Sequence, residues 1–179
     1  MPATPAGTSA IEHEVRVAAR PETVFAYFTD PGRLVRWMGS EATLDPRPGG
    51  VFRMVFRPTP EVVQYLASTG GLDQAQAPRF AENAVLGEFV EVDPHSRIVF
   101  TWGYERELFA MPPQSSSVEV SLTADGDDTV VRLVHRRLPD DSTAFHRAGW
   151  DHYLPRLAIA AAGEDPGADP LEAAAAQDE

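Results

Sequence analysis

Lysine and cysteine are absent from this chain, and it has no long apolar run. Without cysteine there is no disulfide, no thiolate nucleophile and no Cys-ligated metal. All fifteen basic residues are Arg, which excludes Schiff-base chemistry and a lysine general base. Abundant Ala, Arg and Pro beside that lack of Lys point to genomic base composition before any function. No apolar stretch approaches the roughly 20 residues that span a bilayer. The start, Met1-Pro-Ala-Thr-Pro5, has neither the basic nor the apolar segment of a secretory signal. A cytoplasmic protein with no membrane partner is expected. Positive charge is also scarce. The formal net charge is -12, which argues against nucleic acid as a partner, because phosphate binding is driven by Lys and Arg.

What is present suits one globular domain. The 179 residues are 43% hydrophobic and 23% charged, enough to bury a sizeable core. Residues 1–9 read as a disordered leader of Pro, Ala, Thr and Gly. Residues 164–179 hold six acids and no Arg, and read as an acidic disordered tail; without them the net charge is about -6. The domain between spans residues 10–163.

Alternation marks the strands. Ile11, His13, Val15 and Val17 share a face. So do Phe52, Met54 and Phe56; Ile98, Phe100, Trp102 and Tyr104; Val118, Val120 and Leu122; and Val131, Leu133 and His135. Further strands are expected near Glu41–Asp45 and Ala84–Val92. Pro21 and Glu22 suit a helix first turn, and Asp30-Pro31 starts a second short helix through about Trp37. Phe145, Trp150, Leu154, Leu157 and Ala161 recur near helical spacing, which predicts a long final helix with Pro155 inside it. Residues 58–83 are too long for a hairpin loop and carry the amphipathic piece Glu61–Ala67. They read as an insertion able to act as a lid over one rim of the sheet.

A sheet closed by one helix leaves room between them, so the candidate lining residues are Trp37, Phe52, Met54, Phe56, Phe100, Trp102, Tyr104, Trp150 and Leu154. Each of them is equally an ordinary core residue. His135 is the candidate polar group, as a hydrogen-bonding partner for a ligand or as a general base. His146 and His152 lie six apart, so they diverge around a helix and make no metal pair. Asp127-Asp128 and Asp140-Asp141 fall at turns and helix starts, where capping explains them. Glu88 and Glu105 suit solvated strand faces. No phosphate-binding, nucleophile-elbow, zinc or dinucleotide motif occurs, so neither metal nor cofactor is expected.

In order, these segments resemble the START-like (SRPBCC) superfamily. The nearest branch is the one named after the C-terminal domain of the activator of the ninety-kilodalton heat-shock-protein ATPase. The resemblance rests on Pro21-Glu-Thr-Val-Phe25, Thr29-Asp-Pro31, Trp37, Asp45-Pro-Arg-Pro-Gly-Gly50, Gly87 to Pro94, Arg97 to Trp102, Ser117 to Leu122, Thr129 to His135, and Gly149-Trp150 with Leu154 and Leu157. It implies an α+β helix-grip fold: six or seven antiparallel strands curved around a long C-terminal helix, with two short helices after the first strand. It also implies a cavity that holds apolar ligands in many relatives. Three readings follow. The first is a protein that binds a small hydrophobic or aromatic molecule. The second is a cofactor-free cyclase, dehydratase or hydrolase with His135 as base. The third is an interaction or co-chaperone-like module. A homodimer is compatible with each.

Overall fold

Seven strands form a single antiparallel sheet in the computed structural model, which describes residues 8–106 and 108–173. In chain order the elements are β1 (Thr8–Val17), α1 (Pro21–Thr29), α2 (Pro31–Leu34), β2 (Glu41–Leu44), β3 (Val51–Phe56), α3 (Pro60–Ser68) and α4 (Ala77–Ala81). Then come β4 (Asn83–Asp93), β5 (Arg97–Trp102), β6 (Ser116–Asp125), β7 (Asp128–Pro139) and α5 (Asp140–Ala161). The strand order is β1-β7-β6-β5-β4-β3-β2. Only β1 is out of sequence order, carried to the far edge by α1 and α2. This is the expected helix-grip α+β fold.

Two close approaches shape the sheet. A side chain at Gly87 would put Cβ 1.8 Å from the carbonyl oxygen of Thr101, so β4 and β5 meet there only through glycine. Beyond it, the β4–β5 register shifts between Phe89 and Glu91, leaving Val90 51% exposed and Phe89 fully buried. The bulge therefore falls after Phe89, which keeps its ring inside.

The inner face of the sheet is packed with rings. Phe52 stacks on Phe100 at 4.1 Å between centroids and meets Phe89 edge-on at 5.6 Å. Trp37 packs edge-on against Phe28 and donates its indole N–H to the carbonyl of Tyr27 at 3.0 Å. Helix α5 closes this face. Ser142, His146, Trp150, Leu154, Leu157 and Ala161 are its buried stripe, spaced by three or four residues. Asp140 and Asp141 occupy its first turn, where acids oppose the helix dipole, and the helix continues through Pro155.

Residues 8–9 and 164–173 are more ordered than composition suggests. Thr8 and Ser9, expected in the leader, belong to β1 and pair with Pro139 and Leu138 of β7. A partner strand satisfies backbone groups that Thr and Ser would otherwise leave to water. The remaining leader residues, 1–7, lie outside the described ones.

The acidic tail is corrected more strongly. After Gly163, with φ +87°, residues 164–173 run back across the domain as a strap. Arg156 donates to the carbonyls of Pro166 and Gly167 at 3.3 and 3.0 Å. His152 Nε2 lies 2.8 Å from Asp169 Oδ1. The Glu172 carboxylate accepts from Ser40 Oγ at 2.6 Å and from the backbone N–H of Arg57 at 2.7 Å. The backbone N–H groups of Thr59 and Ala173 donate to Leu171 and Arg57. These acids are bound by specific donors, which net charge alone does not reveal. Positions 174–179 lie outside the described residues.

Candidate functional site

Where β5 ends, the chain turns sharply. A Cβ at Gly103 would lie 1.9 Å from the carbonyl oxygen of Pro112, so the loop returns against the strand end only because this residue is glycine. The turn sets Trp102 and Tyr104 side by side under α5, and Tyr104 forms an isolated bridge with Val85 of β4. From α5, His146 and Trp150 reach down one turn apart.

Above these groups lies a cavity of about 420 Å³. Its floor is Trp102, Tyr104, His146 and Trp150. Its sides are Met38, Phe56, Phe80, Phe145, Tyr153 and Leu171. Its roof is Val62, Tyr65 and Leu66. The roof is α3, capped by the Thr59 hydroxyl, which accepts from the N–H of Val62 at 3.4 Å. Val62, Tyr65 and Leu66 stand at i, i+3 and i+4 and face the cavity, yet α3 buries no residue, and Tyr65 is 67% exposed.

The expected residues divide into two groups. Phe56, Trp102, Tyr104 and Trp150 line the cavity. Trp37, Phe52, Met54, Phe100 and Leu154 do not; they are buried core, and the Phe52–Phe100 stack fills the space a ligand was expected to use. The hollow is displaced toward the inserted helices because α3 and α4 hold that rim open.

His135 is also corrected. It is wholly buried and does not line the cavity. Trp150 Nε1 donates to its Nδ1 at 3.1 Å, so the imidazole proton sits on Nε2. That proton is donated to Ser116 Oγ at 2.9 Å, and the Ser116 hydroxyl donates to the carbonyl of Trp102 at 2.7 Å. Burial, helped by nearby His146, holds His135 well below the usual imidazole range. It is a neutral strut joining α5 to β6 and β7.

His146 takes the place expected of His135. Its Nδ1 lies 2.8 Å from the carbonyl of Ser142, which only accepts, so Nδ1 carries the proton. Nε2 is then an acceptor for the Tyr104 hydroxyl at 2.8 Å. Burial pushes His146 down to about 4, against the raising effect of the Ser142 carbonyl. Burial also pushes the Tyr104 hydroxyl well above the ordinary phenol range, with the neighbouring Trp102 indole opposing slightly. That indole N–H nevertheless makes no hydrogen bond of acceptable geometry and is buried without a partner.

Sequence reasoning did not offer His146, Phe80 or Phe145 as lining residues: it weighed His146 only as a metal ligand and placed Phe145 on the apolar stripe of the final helix. The rings of Phe80 and Phe109 lie 6.1 Å apart, and those of Phe109 and Phe145 lie 4.5 Å apart. His146 was legible, since it precedes Trp150 by four residues on the predicted helix. Phe109 was not, because it adopts φ 54° in an irregular loop. Glu105 pairs with Arg53 at 2.6 Å, away from the cavity. Among the described residues no group of three or more His, Asp or Glu comes together as a metal site, and no helix is long and apolar enough to cross a membrane.

A curved antiparallel sheet, a long C-terminal helix across it and a ring-lined cavity between them define a protein of the helix-grip class. The sequence profile described as "Activator of Hsp90 ATPase homolog 1-like protein" matches residues 18–162, and the chain belongs to that family. Among solved structures it is similar to the AHSA1-like protein of Rhizobium etli, with 36% identity, TM-score 0.61, and 97% of this chain and 94% of that one covered. It is similar also to CalU16 of Micromonospora echinospora, with 25% identity, TM-score 0.60, and 88% and 80% covered. A protein of Chromobacterium violaceum, 22% identical with TM-score 0.64, covers 86% of this chain over 96% of its own and shares the fold. Among curated proteins, none matches the chain.

Proposed function

We propose that this protein binds a small, uncharged, largely apolar molecule in the cavity between α5, the sheet edge and α3, without transforming it. The observation that carries this reading is a roof helix whose apolar face overhangs a cavity of about 420 Å³ while burying none of its own residues. Helices keep such faces when something covers them. The volume suits a ligand of one to three rings. Burying such a body at roughly 25 cal/mol per Å² of apolar area supports micromolar affinity after ordering costs.

The chemistry of the polar groups favours binding over catalysis. Proton transfer from Tyr104 to His146 runs against both environments, since burial holds the phenol high and the imidazole low, at about 4. A useful general base needs the opposite tuning. His135 has both nitrogens engaged and does not line the cavity.

Gly149 gives the test. It lines the cavity, and a Cβ there meets nothing within 4 Å. Gly149→Leu should fill the hollow while improving helix propensity by roughly 1 kcal/mol. The neutral probe N-phenyl-1-naphthylamine should bind the native protein saturably at one site. Gly149→Leu should weaken it at least tenfold without lowering the melting temperature. Equal binding by both proteins places the probe elsewhere and sinks the reading.

A further inference from the structure

One polar side chain on the inner face of the sheet is only half explained by the fold. In β4, Asn83, Val85 and Gly87 pair with Phe56, Met54 and Phe52 of β3, so Asn83 shares the face of those rings. Asn is disfavoured in strands, and an inner position ordinarily takes an apolar residue. Asn83 is nevertheless 6% exposed and lines the cavity beside Phe56. Its Nδ2 donates to the carbonyl of Phe80 at 2.9 Å, which ties down the end of α4. A carbonyl only accepts, so the amide nitrogen belongs on that side and Oδ1 on the other branch. Oδ1 accepts no hydrogen bond among the described residues and is not sealed from open space. For a residue this buried, that open space is the cavity.

The other polar groups around the hollow do not take this role. Tyr104 and His146 are bonded to each other, and His146 also to Ser142. The Trp102 indole nitrogen is buried. The Tyr153 hydroxyl can give or take a hydrogen bond, so it excludes neither donors nor acceptors. An amide oxygen only accepts. No Arg lines the cavity, and the charged residue at its rim is Glu61, so an anion would lose its hydration with no counter-charge to replace it.

We propose that Asn83 Oδ1 is the specificity-determining acceptor for a neutral ring compound bearing a hydrogen-bond donor, a phenol or an aromatic amine. This rests on the binding reading above and narrows it to a ligand class. The ligand's O–H or N–H donates to Oδ1, and its rings lie against Phe56 under α3. A ligand of the same shape without a donor takes water from Oδ1 and returns no hydrogen bond.

Three probes of one ring system test this: naphthalene, 2-naphthol and 2-methoxynaphthalene, titrated calorimetrically into the full chain at neutral pH. The naphthol and its methyl ether carry oxygen at the same ring position, and only the naphthol donates. It should bind about tenfold more tightly than the ether, although the ether has more apolar area to bury. Asn83→Leu keeps the shape of the side chain and removes the acceptor, so it should bring naphthol and ether to within about twofold. If that variant does not fold, the native protein still decides the matter. In ¹³C,¹⁵N-labelled protein the Asn83 carboxamide carbon should move further downfield with the naphthol than with the ether. Equal affinity for naphthol and ether, a preference that survives in Asn83→Leu, or no distinct response of the Asn83 carbon overturns the acceptor assignment and leaves the cavity reading intact. If none of the three probes binds, the cavity reading fails, and this inference with it.

Discussion

At His135 the imidazole accepts an indole proton on one nitrogen and gives its own proton to Ser116 on the other, so each polar atom has one partner inside the core. His135→Leu should strand the Trp150 N–H, a loss of about 1–3 kcal/mol for the orphaned donor, while probe binding by the folded fraction stays near native. Urea titration and probe titration on the same variant separate the two effects. Both buried histidines are depressed, His146 to about 4, from an unfolded value near 6.5. The unfolded chain then binds more protons than the native one between those values. Their contribution is complete above about pH 6.5 and is lost as pH falls toward 4, at roughly 1.4 kcal/mol per pH unit for each histidine. Glu172, raised by burial, acts in the opposite sense, since its stabilisation weakens as pH rises from the ordinary carboxylate value. Urea midpoints should therefore drop between pH 7 and pH 5. His146→Gln should flatten that drop by about one proton; an unchanged slope would mean that His146 is not held neutral.

Among the elements, α3 and the 164–173 strap stand apart, because both serve the cavity more than the core. Helix α3 has a cap and an apolar face but buries no side chain fully; Val62, Val63 and Leu66 are half-buried. Replacing Val62 and Leu66 together by Ser should weaken hydrocarbon-probe binding about tenfold and shift the melting temperature by no more than a degree or two. A large loss of stability would place α3 in the core. The strap passes beneath the start of α3, where Thr59 N–H donates to the carbonyl of Leu171 at 2.9 Å, and Leu171 itself lines the cavity. Deleting residues 164–179 removes that wall, the Asp169–His152 contact and both Glu172 bonds. Amide exchange in α3 should then speed up markedly, with β6 and β7 unaffected, since local opening follows the least buried contacts.

On the scale of the whole molecule, the fold is a layered clasp with a solid half and a hollow half. Phe52, Phe89 and Phe100 fill the middle of the sheet, and the void lies at the rim where the insertion enters. Occupancy of that void is linked to global stability. At a hundredfold excess over its dissociation constant, a ligand adds about 2.7 kcal/mol, or roughly 5–10 °C in melting temperature for a domain of this size. A screen of neutral ring compounds by melting temperature would therefore detect an occupant whatever its chemical identity. With its net charge of -12 the chain should show no such shift with oligonucleotides.

Strand faces and the long helix followed from the sequence alone, because alternation and helical spacing are local properties that burial enforces residue by residue, while the fold class followed from the resemblance that the ordered segments carry. Phe56, Trp102, Tyr104 and Trp150 were legible as lining residues for the same reason. Which inward rings pack and which border empty space was decided only in three dimensions. Phe52 and Phe100 stack because their strands are brought to a common layer by β4, which lies between them. That His146 and not His135 borders the cavity was likewise tertiary: both are buried with both nitrogens hydrogen-bonded, and only the seating of α5 on the sheet sets His146 at the cavity and His135 behind Trp150. The acidic tail became a strap because its donors, Ser40, Arg57 and His152, are distant in sequence and meet it only after folding.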